Sequence, residues 1–287
     1  MPKVSVLMPI YKTNERYLRE AIESILNQSF TDFEFLILDD CPENSREEIV
    51  KLYKDDRIKY FKNERNLGIS HSRNKLIDLA SGEYLAVFDH DDVSLPKRFE
   101  RQVKYLDEHP DVGVVGAKSK TIINGRTSKF PTNDHEIKMA LMRECVVLHP
   151  SSMIRKSVLI DNDIRYEESF SPSEDYALWC NLIKHTKFHN INDEVLFMYR
   201  DHEENTTHIQ SEKMKQTFAA VQFRVKTQNP MLYEEFLLRA KHTIRIKLFN
   251  FIPLVTIKTA WDMTRWYLFG AIPLWSVKTV IRIQELN

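Results

Sequence analysis

Glycine is scarce in this 287-residue chain: six in all, and no two of them fall in a Gly-x-Gly-x-x-Gly loop. That argues against a dinucleotide-dependent dehydrogenase, whose pyrophosphate loop needs those glycines for close backbone approach. Cysteine is scarce too. Cys41, Cys145 and Cys180 are far apart and odd in number, so they suggest neither a disulfide framework nor a Cys-x-x-Cys metal site, and they suit a reducing cytosol. Net charge is absent: 41 Lys and Arg balance 41 Asp and Glu, which leaves no global field to attract nucleic acid. No apolar run is long enough to cross a membrane, and the apolar part of the segment from Met1 to Pro9 is too short for a signal peptide. What remains is a globular composition, 43% hydrophobic and 29% charged, enough for one large domain or a domain with an appendage.

The first half alternates two patterns. Short apolar runs at Val4–Met8, Phe33–Leu38, Ile58–Phe61 and Glu83–Phe88 read as strands. Between them, Leu18, Ala21, Ile22, Ile25 and Leu26, then Ile49, Leu52 and Tyr53, then Ile69 to Leu79 recur at helical spacing. Such alternation predicts a mostly parallel sheet flanked by helices, joined by right-handed crossovers that bring the strand ends to one side. Further on, a helix is expected over 97–109, strands near 112–116 and 195–199, a loop-to-strand entry at 150–154 and a helix over 176–185. From about residue 206 helical patterns replace strands, which puts a domain boundary at 205 and a helical C-terminal extension over 206–287.

Polar residues cluster just past the expected strand ends: Pro9-Ile10-Tyr11, Asp39-Asp40 and Asp89-His90-Asp91-Asp92. Ligands of open α/β sheets bind beyond such ends. Carboxylates this close repel unless a cation lies between them, and a divalent metal carrying a diphosphate would serve. A solvated acidic turn is the alternative.

Taken in order, Val4-Ser5-Val6-Leu7-Met8-Pro9-Ile10-Tyr11, Leu38-Asp39-Asp40, Asn66-Leu67-Gly68-Ile69-Ser70, Arg73-Asn74, Asp89-His90-Asp91-Asp92 and Glu174-Asp175 resemble family 2 glycosyltransferases of the GT-A fold, of the bacterial surface-polysaccharide or lipopolysaccharide type, over roughly residues 3 to 205. The resemblance implies a nucleotide site of Pro9, Tyr11, Asp39, Asp40, Asn66, Arg73 and Asp89, with Tyr11 beside the base and Asp40 accepting the uracil imide N–H. It implies Mn2+ or Mg2+ on Asp91, with Asp89 and His202 completing the metal site, and Arg200 offsetting the diphosphate charge. Asp175 becomes the base and Glu174 its or the acceptor's positioner. Bland alternatives stand beside these roles: a core aromatic for Tyr11, a helix cap for Asp39-Asp40, a surface ion pair for Arg73, ordinary N-terminal helix charge for Glu174-Asp175, a loop histidine and exposed arginine at 200–202. Trp179 is either an acceptor platform or a core ring, and His149 lies in the 117–152 region expected to choose the sugar. The chain departs from the family pattern at Lys12, where Asn is common, and at Cys41-Pro42-Glu43-Asn44, where a Gly-Ser turn is common.

From Lys241 onward seven Lys and Arg stand against two Asp and Glu, a charge of about +5, interleaved with Phe249, Phe251, Trp261, Trp266, Tyr267, Phe269 and Trp275. Amphipathic helices of this kind can lie in an anionic membrane surface. The expectation is therefore a cytoplasmic, metal-dependent, inverting enzyme, peripheral on the inner face of the cytoplasmic membrane. It would move a hexose or N-acetylhexosamine from a UDP-sugar to a lipid-linked surface glycan. A catalytically silent nucleotide-sugar-binding protein and a sugar nucleotidyltransferase are the alternatives.

Overall fold

A computed structural model of the chain describes residues 1–203, 205 and 209–239, together with the backbone of four strands between 242 and 278. The chain divides into two compact units, Met1–Val225 and Lys226–Asn287, so the first extends past the boundary expected at 205.

In the first unit β1 (Val4–Ile10), β2 (Phe33–Asp39), β3 (Ile58–Lys62) and β4 (Tyr84–Val87) are linked by α1 (Glu15–Leu26), the short α2 (Glu47–Val50) and α3 (Ile69–Leu79). Then follow β5 (Val93–Ser94), α4 (Arg98–Glu108), β6 (Val112–Thr121), α5 (Asp134–Ala140), β7 (Met153–Arg155), α6 (Lys156–Ile160), α7 (Glu174–Leu182), β8 (Lys187–Tyr199) and α8 (Ser211–Gln228). The eight-stranded sheet has the order β3-β2-β1-β4-β7-β6-β8-β5. Its strands run parallel except β7, antiparallel to β4 and β6, and β5, antiparallel to β8.

Every residue of β1 and of β2 is buried. Val4, Val6, Met8 and Ile10 share a core with Leu18, Ala21, Ile22 and Ile25 of α1, while α3 packs against β1 as well. Strands covered on both faces carry unbroken apolar runs rather than alternating ones. α1 begins where the Asn14 side chain accepts the Arg16 N–H at 2.9 Å.

This topology sets the site. The C-terminal ends of β1, β2, β4 and β8 lie along one rim and deliver residues 9–12, 39–40, 88–92 and 199–202 there. Because β7 runs the other way, the segment just before it, 149–152, reaches the same rim: the Val87 N–H donates to the Ser152 carbonyl at 3.0 Å. α8 braces the start of α7 within the same unit. Phe218 stacks on Tyr176 at 4.5 Å, Thr217 and Ser173 share a hydrogen bond at 2.8 Å, and Arg224 pairs with Glu167 at 2.8 Å.

At the opposite rim Glu34, 4% exposed, accepts from Ser5 Oγ at 2.6 Å and from the Ser81 N–H and Oγ at 2.7 Å each, and pairs with Lys59 at 2.7 Å. Burial opposes its charge, but Lys59 and the serine donors outweigh it and hold the carboxyl down to about 2. This stabilisation is complete above the ordinary glutamate pKa near 4.5 and is lost as pH falls through about 2. Glu34→Ala strands buried donors, so it should cost about 1–3 kcal/mol at neutral pH in urea unfolding, and less at pH 3.

The helical expectation for 206–287 holds for α8 and α9 (Pro230–Arg239). From 242 to 278 it is corrected: β9 (His242–Leu248), β10 (Ile252–Ala260), β11 (Met263–Leu268) and β12 (Ile272–Lys278) pair antiparallel in the order β12-β11-β10-β9. Thr243-Ile244-Arg245-Ile246-Lys247-Leu248 alternates with period two and is rich in β-branched residues, which suits a strand and not a helix. The expected membrane-facing side chains of 243–287 lie outside the described ones.

Candidate active site

Strand ends at this rim supply the residues in turn. Pro9 is buried in β1, and Tyr11, just past it, is 39% exposed. Lys12 has φ of 47°, the left-handed region that asparagine tolerates better than lysine, and its ammonium lies 5.1 Å from the Tyr11 ring. Lys12 is therefore held in backbone that an asparagine would adopt with less strain.

Asp39 and Asp40 are both buried and both hold the rim together. Asp39 accepts from the Cys41 N–H at 2.9 Å, the Arg46 N–H at 2.7 Å and Tyr60 Oη at 2.7 Å, so it fixes the turn into α2. Asp40 accepts from Asn63 Nδ2 at 2.8 Å, the Leu67 N–H at 2.9 Å and the Gly68 N–H at 2.8 Å, which ties the start of α3 to the end of β2. Each carboxylate has about four acceptor positions and uses three. Asn66 is exposed and accepts the Gly68 N–H at 2.9 Å, an Asx turn that enters α3. Gly68, with φ of 86°, needs its missing Cβ there.

α3 then presents Arg73, 7% exposed, inward. One guanidinium arm donates to Glu174 Oε1 at 2.7 Å, the other to Asp89 Oδ1 at 3.2 Å. Burial works against the charge, but Asp89 and then Glu174 overcome it and raise the pKa, so the cation is secure. This ion cluster joins residues 101 positions apart, Arg73 and Glu174. It excludes the surface ion pair left open from sequence.

Asp89 and Asp91 are half-buried. Asp91 Oδ2 lies 2.9 Å from His202 Nε2, within hydrogen-bond distance. Asp92 is buried, with one oxygen accepting the Arg200 N–H at 2.7 Å and the other without a hydrogen-bond partner. Burial, then Asp91 and Asp89, push its carboxyl well above the ordinary range. Arg200 is 8% exposed and turns inward: Nε donates to the Asp91 carbonyl at 2.7 Å, Nη2 pairs with Glu20, and the guanidinium lies 4.2 Å from the Tyr17 ring. Expected at the diphosphate, it instead orders the Asp91-Asp92 turn against α1. A carboxylate on α1 captures it, and nothing in the 200–202 segment announces Glu20 as its partner.

Among the described residues no three His, Cys, Asp or Glu converge as a ready-made metal cage. A cation that arrives with its substrate does not need one. Mg2+ and similar ions keep one or two protein ligands and fill the rest with phosphate oxygens and water. Asp91 and His202, in contact and partly open, fit that role, with Asp89 within reach of the same turn.

Asp175 opens α7. Its Oδ1 accepts the Tyr176 N–H at 2.6 Å and the residue keeps partial exposure. Burial, then the neighbouring Glu174, push its carboxyl up to about 6, despite the Tyr176 N–H and Arg73. Trp179, four residues on, is fully buried and donates to the Val147 carbonyl at 3.1 Å, so it is a core ring and not an acceptor platform. Sequence reasoning missed Tyr166, which packs on the Arg73 cluster from a loop, and gave no role to Asn74 of the Arg73-Asn74 pair, which holds the Tyr166 backbone. Single residues in polar stretches gave no signal.

Comparison with known proteins agrees with this geometry. Residues 5–161 match the family model of glycosyl transferase family 2. The chain is 41% identical over 207 residues to the uncharacterized glycosyltransferase MJ1057 of Methanocaldococcus jannaschii, covering 69% of this chain and 71% of that one. It is 43% identical over 118 residues to the putative glycosyltransferase EpsE of Bacillus subtilis, covering 40% of this chain and 42% of that one. Among solved structures, TarS of S. aureus in complex with UDP-GlcNAc superposes with a TM-score of 0.68 at 23% identity, over 82% of this chain and 72% of that one. The mannosyltransferase PcManGT of Pyrobaculum calidifontis, in complex with GDP-Man and Mn2+, gives 0.60 at 14%, over 83% and 70%. Parallel sheet, converging strand ends and family match agree: the chain belongs to glycosyl transferase family 2 and has the GT-A fold.

Proposed function

We propose that this glycosyltransferase moves a hexose or N-acetylhexosamine from a UDP-sugar to a hydroxyl of a surface-glycan acceptor, with inversion and with Mn2+ or Mg2+ bound through Asp91, His202 and Asp89. Asp175 carries the reading: a partly exposed carboxylate beside the Arg73 cluster, its proton affinity raised to about 6, is suited to taking a proton at neutral pH. It would draw the proton from the acceptor hydroxyl as the new C–O bond forms and the bond from the anomeric carbon to the UDP oxygen breaks. The leaving electron pair stays on UDP, and the cation, when bound, supplies Lewis-acid stabilisation to that oxygen. Glu174 and Arg73 fix the position of the base, Tyr11 supplies a partly open ring for the uracil, and Asp40 keeps one acceptor position for the imide N–H. A lipid-linked acceptor at the inner face of the cytoplasmic membrane belongs to the same proposal. It is supported by the +5 charge of the 241–287 segment.

Incubating the chain with Mn2+ and a panel of UDP-glucose, UDP-galactose, UDP-GlcNAc and UDP-GalNAc tests it by release of UDP. At least one donor should turn over. Pyrophosphate release from UTP and a sugar phosphate would instead reveal a nucleotidyltransferase, and UDP binding without turnover a silent binder. The pH profile should rise through about 6 and level off above it, because the protonated carboxyl cannot accept; below 6 the rate should fall about tenfold per unit. A flat profile from pH 5 to 8 refutes Asp175 as the base.

A further inference from the structure

We propose that His149, acting through Tyr166, is a positioning residue that holds the Arg73 guanidinium between the donor side and the acceptor side of the site. The inference rests on the glycosyl-transfer reading above and adds a group that does not touch the substrate.

His149 is 3% exposed and sits in the segment that the reversed β7 brings to the rim. Its Nε2 lies 2.8 Å from Tyr166 Oη, with the two rings edge to face at 5.6 Å. Burial, then the Arg73 charge, hold the imidazole neutral. Tyr166 Oη and the neutral imidazole share this hydrogen bond, with the donor set by the imidazole tautomer. The Tyr166 ring faces the Arg73 guanidinium at 5.5 Å. Its backbone is pinned at both ends to Asn74, the neighbour of Arg73: Asn74 Nδ2 donates to the Tyr166 carbonyl and the Tyr166 N–H to Asn74 Oδ1, each at 2.9 Å.

Arg73 Nε, Glu174 Oε2 and His149 Nδ1 are all buried without a hydrogen-bond partner. Burial of three unpartnered polar atoms in one cluster is costly, and such groups are usually retained where geometry has a task. It also leaves Nε no hydrogen bond of its own to restrain it. The guanidinium is aimed by its two carboxylates and by the Tyr166 ring, and the ring is held by His149. Since Arg73 bridges Asp89 and Glu174, a shift of that ring disturbs the spacing of the two halves of the site. Misplacement of about 1 Å can cost about 100-fold in rate. A packing-only role is the rival view, because His149 also meets Trp179 at 5.7 Å.

Tyr166→Phe separates the two, since it removes one oxygen and keeps the ring. With Mn2+ and the UDP-sugar the wild type turns over fastest, Y166F and H149F should each lower kcat for UDP release by about 10- to 100-fold, with donor KM within about threefold. The double variant should be no worse than the poorer single one, because both remove the same bond, and H149Q, whose amide can still hydrogen-bond Tyr166 in either direction, should recover most of the rate. Independently of turnover, the Arg73 Nε–H resonance, identified by its loss in R73K, should move in both Y166F and H149F. Unchanged kcat and an unmoved resonance in Y166F, or losses that multiply in the double variant, overturn the proposal. Activity surviving in D175N would instead overturn the base assignment, and the Arg73 resonance would still decide the role of His149.

Discussion

Asp175→Asn should lower UDP release with Mn2+ and the preferred UDP-sugar by about 10²–10⁴-fold, while the Kd for UDP stays within about threefold of wild type. The asparagine amide oxygen can still accept the Tyr176 N–H that Oδ1 accepts at 2.6 Å, so the start of α7 should survive the change. What is lost is the proton acceptor alone. The contrast is with Glu174, whose Oε1 is a partner of Arg73 at 2.7 Å; replacing it leaves a buried guanidinium with Asp89 as its remaining carboxylate partner and disturbs the whole cluster. Turnover and isothermal calorimetry with UDP and Mn2+ check the prediction, and D175N retaining more than about a tenth of wild-type kcat would move the base elsewhere. A stability signature should accompany it. The Asp175 carboxyl sits at about 6 in the folded chain against an ordinary 3.8, so the folded state binds the proton more tightly than the unfolded one. Its contribution to stability is present below the ordinary value and is lost as pH rises through about 6. D175N should therefore flatten the decline of Tm between about pH 4 and 6. The raised proton affinity that suits a base is thus a strain on the fold at neutral pH, a trade-off common at active sites.

The parallel core of the sheet was legible because its cause is local. Val4–Ile10 and Phe33–Asp39 are buried on both faces, so their runs are apolar without alternation, and the helix expected over 69–79 is α3 to the residue. Strand direction brought Asp40, Asp89 and Asp91 to one rim, whereas Asp175 enters from the loop before α7 and no strand end announced it. What sequence could not show were partners chosen by three-dimensional packing. Arg200 looks free for a phosphate until Glu20, 180 residues earlier, captures it. Asp39 and Asp40 carry ligand-like spacing, yet most of their acceptor positions serve the turns around them. Tyr166 sits among charged residues with no periodic signal, and only the fold brings it to Arg73 and His149. At 242–278, aromatic and basic residues suggested helices, but alternation at period two prevailed.

Replacing Asp91 with alanine should abolish stimulation by Mn2+ and lower turnover by about 10²–10³-fold, the scale on which removing one stabiliser of a leaving oxyanion acts. The fold should tolerate it. The Asp91 side chain meets His202 at 2.9 Å, whereas the turn itself is held by the Arg200 bonds to the Asp91 carbonyl and to Asp92. Removing one of three neighbouring carboxylates also relieves repulsion on buried Asp92, whose carboxyl Asp91 helps to push up. Tm should therefore stay level or rise while activity falls, the opposite of a merely structural defect. In wild type, EDTA should weaken UDP binding, because Asp89 and Asp91 then face a diphosphate with no cation between them. In D91A, EDTA should change UDP affinity by less than about twofold. His202→Ala removes one proposed ligand and leaves Asp91, so it should fall between the two. Calorimetric UDP titrations with and without EDTA, run on the three proteins, decide it: if D91A binds UDP as Mn2+-dependently as wild type, the cation is held elsewhere and the pairing of Asp91 with His202 serves the loop alone.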